Sequence, residues 1–178
     1  MKKTSLLLFC ILIYCSAFGQ DNKLIYTEVI TVDSSLKQND LFGSARAWFN
    51  KYFVSSKEVL QIQDKESGEL SGKGIIKYSS RIFLGSASTA GTIRFTINVF
   101  VKDGKYKYEF TDFIHTASPS SFGLITKEYD PNFKCANTSG KGWQVKVYND
   151  IKDQIDENVK PLISSLKEAM TKKVNSDW

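Results

Sequence analysis

The fold of this chain is decided by the stretch TIRFTINVFVKDGKYKYEF, which covers residues 92–110. Apolar residues alternate with polar ones on both sides of its centre, as in β-strands that bury one face. The centre is Asp103-Gly104, the dipeptide preferred in two-residue hairpin turns. The stretch therefore predicts two long antiparallel strands joined by a tight turn.

The turn also fixes the residues that face each other across the hairpin. With Asp103-Gly104 as the turn, three apolar pairs follow on one face: Val101 with Tyr106, Val99 with Tyr108, and Ile97 with Phe110. Each such pair contributes about 0.2–1 kcal/mol relative to Ala–Ala. A slip of one residue would expose all of them, so the pattern determines the register.

The same alternation, continued without a break, assigns a face to the residues beyond Phe110. Asp112 and Ile114 then lie on the apolar face. Near the end of the sheet, Asp112 is expected to reach water or cap a neighbour rather than form a buried acidic site. His115 lies on the polar face at the end of a strand, where a solvated imidazole is expected.

Two aromatic residues, Phe100 and Phe113, fall on the otherwise polar face, which also carries Arg94. Two interpretations stay open for them. Either the loop that follows the hairpin covers both rings, or Phe100, Phe113 and Arg94 form a surface that binds a partner.

The segments around the hairpin predict further strands and a first helix. Residues 41–53 repeat apolar side chains at three- and four-residue steps, which predicts a helix capped by Asn39 or Asp40. Residues 116–142 are predicted to be irregular, and short pieces around Leu124-Ile125 or Phe133 are expected to add an edge strand or a turn. Strands are predicted at residues 24–32, 59–63 and 70–84, and a small polar loop at residues 85–91.

A long amphipathic C-terminal helix is predicted over residues 143–173, with a kink at Pro161 because proline cannot donate to a backbone carbonyl. Both helices must cover the one apolar face of the sheet. The sequence therefore predicts an α+β two-layer sandwich with the order β-α-β-β-β-β-α. Its sheet is antiparallel, and the long C-terminal helix packs on one face.

A helix laid along a curved sheet can leave an apolar gap, and such gaps bind small molecules. The residues predicted to line this pocket come from both helices and the hairpin. They are Trp48, Phe95, Tyr106, Tyr108 and Ile155.

The N-terminus has the pattern of a signal peptide over residues 1–19. Lys2-Lys3 precede an apolar run at residues 6–15, and Ala17-Phe18-Gly19 supplies small residues for cleavage before Gln20. The apolar run is shorter than the roughly 20 residues that a membrane-spanning helix needs. We therefore expect an exported protein, periplasmic or secreted, that is soluble and has no membrane anchor.

Composition disfavours several functional classes. With 42% hydrophobic and 13% aromatic residues among 178, residues 20–178 are predicted to form a single globular domain. The formal net charge is only +5 and the lysines are scattered, which disfavours nucleic acid. The single histidine rules out a His-rich metal site, and the Ser-Gly-Lys-Gly segments lack Walker A spacing, so no cofactor is predicted.

The mature chain is expected to contain one cysteine, Cys135, whose role the sequence leaves open. Cys10 and Cys15 would leave with the signal peptide, so Cys135 has no internal disulfide partner. A buried inert thiol, a reactive thiol and an intermolecular bridge all remain open. A reactive Cys135 would need a base such as His115, and catalytic partners need not be close in sequence.

Three segments resemble a known family: residues 45–49 (ARAWF), residues 68–74 (GELSGKG) and residues 100–106 (FVKDGKY). With the export signal, they are similar to exported bacterial domains of unknown function with a TATA-binding-protein-like fold. The resemblance covers about residues 24–115 and implies the predicted sandwich, which is also helix-grip-like. It brings no catalytic residues, and the name of the fold implies nothing about DNA binding.

The sequence thus predicts a non-catalytic exported domain that binds a small apolar ligand or a protein partner in the cell envelope. One alternative is a thiol-dependent or other hydrolase that uses Cys135 and His115. The other is a purely structural envelope protein.

Overall fold

The computed structural model describes residues 22–53, 60–82, 86–132 and 141–171. The predicted signal peptide, Phe133 and Cys135 lie outside these residues. The elements, in chain order, are β1 Tyr26–Thr31, α1 Gln38–Tyr52, β2 Leu60–Asp64, β3 Glu69–Tyr78, α2 Ser86–Thr89, β4 Gly91–Lys102, β5 Lys105–Ala117, β6 Gly123–Leu124 and α3 Lys141–Thr171.

The described strands form one antiparallel sheet in the order β1-β5-β4-β3-β2. The sixth strand, β6, pairs with the far end of β5 through Ile114–Leu124. Since β4 takes the other edge of β5, β1 and β6 lie one after the other along the same edge. The short β6 confirms the edge strand expected near Leu124.

The hairpin has the predicted register. Val101 pairs with Tyr106, Val99 with Tyr108 and Ile97 with Phe110, and all six side chains are buried. Gly104 has a φ of +69°, which a glycine adopts without steric cost.

Beyond Phe110 the register shifts by one residue. Thr96 still pairs with Thr111, but Arg94 pairs with Ile114, so two residues of β5 oppose Phe95. This is a β-bulge, and Asp112 within it has a φ of +56°.

The bulge reverses the predicted faces of the residues that follow it. Phe113 and His115 face the core with exposed fractions of 0% and 1%, whereas Ile114 is 44% exposed. Asp112 is half-exposed and pairs with Lys23. The faces predicted for these four residues were therefore wrong, because they assumed an unbroken alternation, whereas the expected access of Asp112 to water is confirmed.

Both long helices pack on the apolar face of the sheet, which confirms the two-layer α+β sandwich. Helix α1 contributes Leu41, Ala45, Trp48 and Phe49 to the core, and α3 contributes Val147, Ile151, Ile155, Val159, Leu166 and Met170. Helix α3 continues through Pro161.

The start of α1 differs from the prediction, which placed its cap at Asn39 or Asp40. Lys37 is the N-cap residue, and its backbone N–H donates to Asp40. The hairpin turn also contributes, because the Gln38 N–H donates to Asp103 Oδ1 at 2.8 Å. The helix thus begins against the turn of β4 and β5.

Two other boundaries differ as well. Strand β3 ends at Tyr78, short of the predicted residue 84. In the predicted loop 85–91, residues Ser86–Thr89 form one helical turn, and the Thr89 carbonyl contacts the His115 ring nitrogen Nε2 at 3.0 Å.

Candidate functional site: the outer face of the sheet

The sheet face opposite the two long helices, here called the outer face, carries a row of exposed aliphatic side chains. Strand pairing aligns Leu124, Ile114 and Ile75 across the sheet, and Arg94 of β4 lies between the two isoleucines. Leu124 is 52% exposed, Ile114 44% and Ile75 66%. With strands about 4.8 Å apart, this aliphatic row is about 14 Å wide. Large aliphatic side chains exposed together are typical of interaction sites.

A hollow of about 670 Å³ lies beside the aliphatic row. Its charged lining residues are Lys73, Arg94 and Asp112. Asp112 is bound to Lys23 at 3.0 Å. Lys73 and Arg94 have no ion-pair partner in the part of the chain that the structure describes. The hollow therefore presents two positive charges that the described residues leave uncompensated.

A second hollow, of about 370 Å³, lies on the same face at the turn end of the hairpin. Val29 and Phe100 line it together with Lys102, Lys105 and Lys107. Lys107 lies 2.5 Å from a carboxylate oxygen of Glu109 and 5.9 Å from the centre of the Phe100 ring.

Lys102 and Lys105 face each other directly across the hairpin. Like charges in this arrangement repel and destabilise the strand pair. Neither lysine has an anionic partner among the described residues. An anion bound from outside would relieve this repulsion.

The outer face contains two of the three residues predicted to bind a partner, Arg94 and Phe100. The prediction for Phe113 was wrong, because the bulge turns its ring inward. There it stacks on Phe95, with ring centres 5.5 Å apart, and meets the edge of Tyr26. Ile114 takes its place on the outer face. An Asp in a strand, a residue type that tolerates left-handed backbone, was the only sequence signal of this change.

The residues predicted to line a pocket are all buried in the core. Two of them connect α3 to other elements. Trp48 of α1 donates through Nε1 to Ser165 Oγ of α3 at 2.9 Å. The hydroxyl of Tyr108 donates to Glu28, which also binds Lys167 of α3. Ile155 is fully buried.

A cavity of about 470 Å³ does lie between the end of α1, β3 and α3. Phe95 borders it, together with Phe53, Ile75, Ile76 and Leu162. The other four predicted lining residues do not, and Tyr106 instead borders the hollow at the hairpin turn. The hydroxyl of Tyr106 is buried without a hydrogen-bond partner, and burial raises its pKa to about 12.

His115 is fixed by hydrogen bonds on both ring nitrogens. Its Nδ1 accepts from the Phe122 N–H at 3.0 Å, so Nε2 carries the proton and donates to the Thr89 carbonyl at 3.0 Å. Burial lowers the pKa of the imidazole below its usual value. The ring therefore joins three segments as a neutral group, and neither nitrogen is free to take a proton from a thiol.

A second buried polar group ties α3 to the end of β3. The Asp150 carboxylate accepts from Tyr78 Oη at 2.9 Å, from Arg81 Nε at 2.6 Å and from Gln154 Nε2 at 3.2 Å. Burial by itself would raise the pKa of Asp150, but these donors outweigh it and lower the pKa. This cluster holds elements together.

Residues 22–53, 60–82, 86–132 and 141–171 contain no group of three or more His, Cys, Asp or Glu side chains placed to hold a metal ion. Within the same ranges, no helix has the length and apolar character needed to span a membrane.

An antiparallel sheet with two helices on one face and an open opposite face defines an α+β domain of the TATA-binding-protein-like class. The chain belongs to the family described as a domain of unknown function, DUF4468, with TBP-like fold, whose model matches residues 26–116. The match includes α1 and the whole hairpin. No curated protein matches the chain.

Two solved structures are similar to this chain. A TBP-like protein from Parabacteroides distasonis has a TM-score of 0.58 at 15% identity, over 83% of this chain and 92% of that one. A DUF4468 family protein from Bacteroides ovatus has a TM-score of 0.45 at 13% identity, over 86% and 90% of the two chains. At such low identity the first of these shows the fold alone.

Proposed function

We propose that this protein is a non-catalytic exported domain that binds a protein partner in the cell envelope through the outer face of its sheet. The observation that carries the proposal is the aliphatic row Leu124, Ile114 and Ile75, exposed on a face that no described helix covers. Burying such side chains is favourable by about 25 cal/mol per Å² of apolar surface.

The size of the outer face supports a protein rather than a small molecule. The aliphatic row and the hollow at the hairpin turn lie at opposite ends of β4, which has twelve residues. At about 3.3 Å per residue, Arg94 in the row is about 20 Å from Phe100 and about 26 Å from Lys102 of the hollow. One small molecule would not reach both.

Export is the second part of the proposal and is supported by the signal-peptide pattern of residues 1–19. Cell fractionation followed by N-terminal sequencing tests it. We expect an envelope or secreted protein that begins at Gln20. Full-length protein in the cytoplasm, with Met1 or Lys2 at its N-terminus, would overturn this part.

Photo-cross-linking in the native envelope tests partner binding. A photoreactive phenylalanine analogue at Ile114 or Leu124 is expected to give a discrete cross-linked protein. The same analogue at Arg46 or Lys51, which are exposed on α1, serves as the control and should give none. Absence of cross-links from both outer-face positions would favour a purely structural envelope protein.

A small ligand is a second candidate, because the cavity beside Phe95 has a volume of about 470 Å³ and a mostly apolar lining, to which Glu157, Asn158 and Ser165 add polar groups. Cavities of about 300–1,000 Å³ are typical of ligand sites. Native mass spectrometry of protein from its own envelope tests this candidate. A bound mass that disappears in Ile76→Trp would support it, and a clean apo mass would exclude it.

The hydrolase alternative gains no support from the site. Both nitrogens of His115 are engaged by backbone groups, and Cys135 lies outside the described residues. Labelling with iodoacetamide tests the remaining thiol chemistry. Rapid labelling of the native protein near neutral pH would revive this alternative, because fast reaction requires a thiolate.

A further inference from the structure

We infer that the partner presents an acidic amphipathic helix, which lies along β4 on the outer face with carboxylates at both of its ends. This inference rests on the proposed function, since it names the chemistry of the partner for the same surface.

The charges of the outer face support an acidic partner. Strands β3, β4 and β5 place six cationic side chains on it, of which Lys107 alone has an ion-pair partner within the described residues. Its strands carry four acidic side chains, Asp64, Glu69, Glu109 and Asp112. Glu109 and Asp112 are in ion pairs, and Asp64 accepts from the backbone N–H groups of Glu66 and Ser67. The cations are Lys73, Lys77, Arg94, Lys102, Lys105 and Lys107.

The uncompensated cations stand at two places along β4 rather than being spread evenly. Lys102 and Lys105 face each other at the turn end, where their mutual repulsion is unrelieved. Arg94 stands near the other end, between Ile114 and Ile75, with Lys73 in the same hollow. A guanidinium so placed suits a bidentate carboxylate whose neighbours are apolar.

The spacing of the two places defines the length of the helix. Lys102 and Arg94 are eight residues apart on one strand face, which corresponds to about 26 Å. A helix rises about 1.5 Å per residue, so about 17 residues join the two places. Aliphatic side chains between its acidic ends would then meet Phe100 near one end and Ile114 near the other.

A helix is also the element that covers the opposite face of this same sheet. There α3 buries Ile151, Ile155 and Val159 against the strands. A second helix on the outer face would complete a three-layer arrangement, which is a stable way to bury both faces of a sheet.

Binding of a designed peptide tests the inference directly. The probe is an 18-residue fluorescein-labelled helix with leucines along one stripe and three glutamates at each end. Its matched control has lysines in place of the glutamates. We expect the acidic peptide to bind the protein purified from its own envelope at least tenfold more tightly, with affinity that falls as salt rises.

Charge reversals locate the site. The pair Arg94→Glu and Lys73→Glu, and the pair Lys102→Glu and Lys105→Glu, are each expected to weaken binding of the acidic peptide at least tenfold. The control pair, Arg46→Glu and Lys51→Glu on α1, changes the net charge equally and is expected to weaken it less than threefold. Equal effects of all three pairs would overturn the inference, because they would show only a response to net charge.

Two further outcomes separate the inference from the proposed function. If the cross-link from Ile114 in the envelope persists in both outer-face reversals, the partner is not held by charge: the inference fails and the proposed function stands. If the analogue at Ile114 gives no cross-link in a chain without charge reversals, the proposed function itself fails. Tighter binding to phosphatidylglycerol vesicles than to the acidic peptide, lost in the same variants, would assign the face to a membrane surface and overturn the helix.

Discussion

Phe110 and Phe113 point into the same face of the sheet although only two residues separate them. The Phe95 ring stacks between them, at 6.2 Å from the centre of Phe110 and 5.5 Å from that of Phe113. The bulge makes this possible, because the left-handed backbone of Asp112 absorbs the extra residue. The same bulge creates the outer face as observed, since it places Ile114 there and His115 in the core.

The conformation of Asp112 predicts different effects of two substitutions on stability. Asp112→Val is expected to destabilise the protein by about 2 kcal/mol, because a β-branched residue resists positive φ. Asp112→Gly should be within about 1 kcal/mol of wild type, since relief of strain offsets the loss of an exposed ion pair with Lys23. Urea denaturation measures both. Equal loss in the two variants would contradict the role assigned to the backbone.

Gly74 makes room for the Phe95 ring. A Cβ atom at this position would lie 2.3 Å from Phe95 Cζ, and the ring is held on both sides by its stacking partners. Gly74→Ala should therefore cost about 1–3 kcal/mol, as overpacked cores do. The matched control is Gly43→Ala on α1, where nothing lies within 4 Å. That variant should gain up to about 1 kcal/mol from helix propensity, and a gain in both would refute the close approach.

His115 predicts that stability depends on pH in the mildly acidic range. Its folded pKa lies below the ordinary value near 6.5, so the unfolded chain binds more protons once the pH falls below about 6.5. Stability is then lost on acidification, by at most about 1.4 kcal/mol per pH unit. Denaturation midpoints between pH 7.5 and 5 measure this loss.

His115→Gln supplies the control for that pH dependence. Glutamine offers a donor and an acceptor to the Thr89 carbonyl and the Phe122 N–H but does not titrate. We expect this variant to be less stable than wild type at pH 7.5 yet nearly insensitive to pH down to 5. An unchanged pH dependence would mean that another group is responsible.

Asp150 and Glu157 both bind Arg81 but differ in burial, so they form a matched pair. Asp150→Asn removes the charge from a buried carboxylate that accepts from Tyr78 and Arg81, and should cost about 2 kcal/mol. Glu157→Gln removes an exposed partner and should cost under about 0.5 kcal/mol. Thermal unfolding at pH 7 compares them. Similar losses would show that burial does not separate the two contacts.

Prediction from sequence worked where one local rule governs a segment. The hairpin register followed from Asp103-Gly104 and the alternation up to Phe110, and the packing of α3 followed from its apolar repeat. It failed where a single residue breaks the rule: the bulge at Asp112 reversed four positions, including Phe113 and His115. The cap from Asp103 to Gln38 was missed because it joins residues 65 positions apart.

The residues of the candidate site could be predicted from the sequence only in part, for the same reason. Arg94 and Phe100 precede the bulge, so parity placed them correctly on the outer face. Ile75 and Leu124 complete the aliphatic row through pairings between strands, which no local pattern encodes. Ile114 was assigned to the wrong face because its position depends on the bulge at Asp112.

The position of β1 has a consequence for how the chain folds. Strand β1 pairs with the first half of β5, and Tyr26 is the partner of Phe110. Because Phe110 is synthesised about 80 residues after Tyr26, the backbone groups of β1 stay unpaired until then. Contacts this distant in sequence slow folding, because the loop must close before they form. The local hairpin is thus expected to nucleate the sheet and β1 to dock late. Until then the open edge of β5 can pair with another chain, and a holding chaperone would protect the nascent protein at this stage.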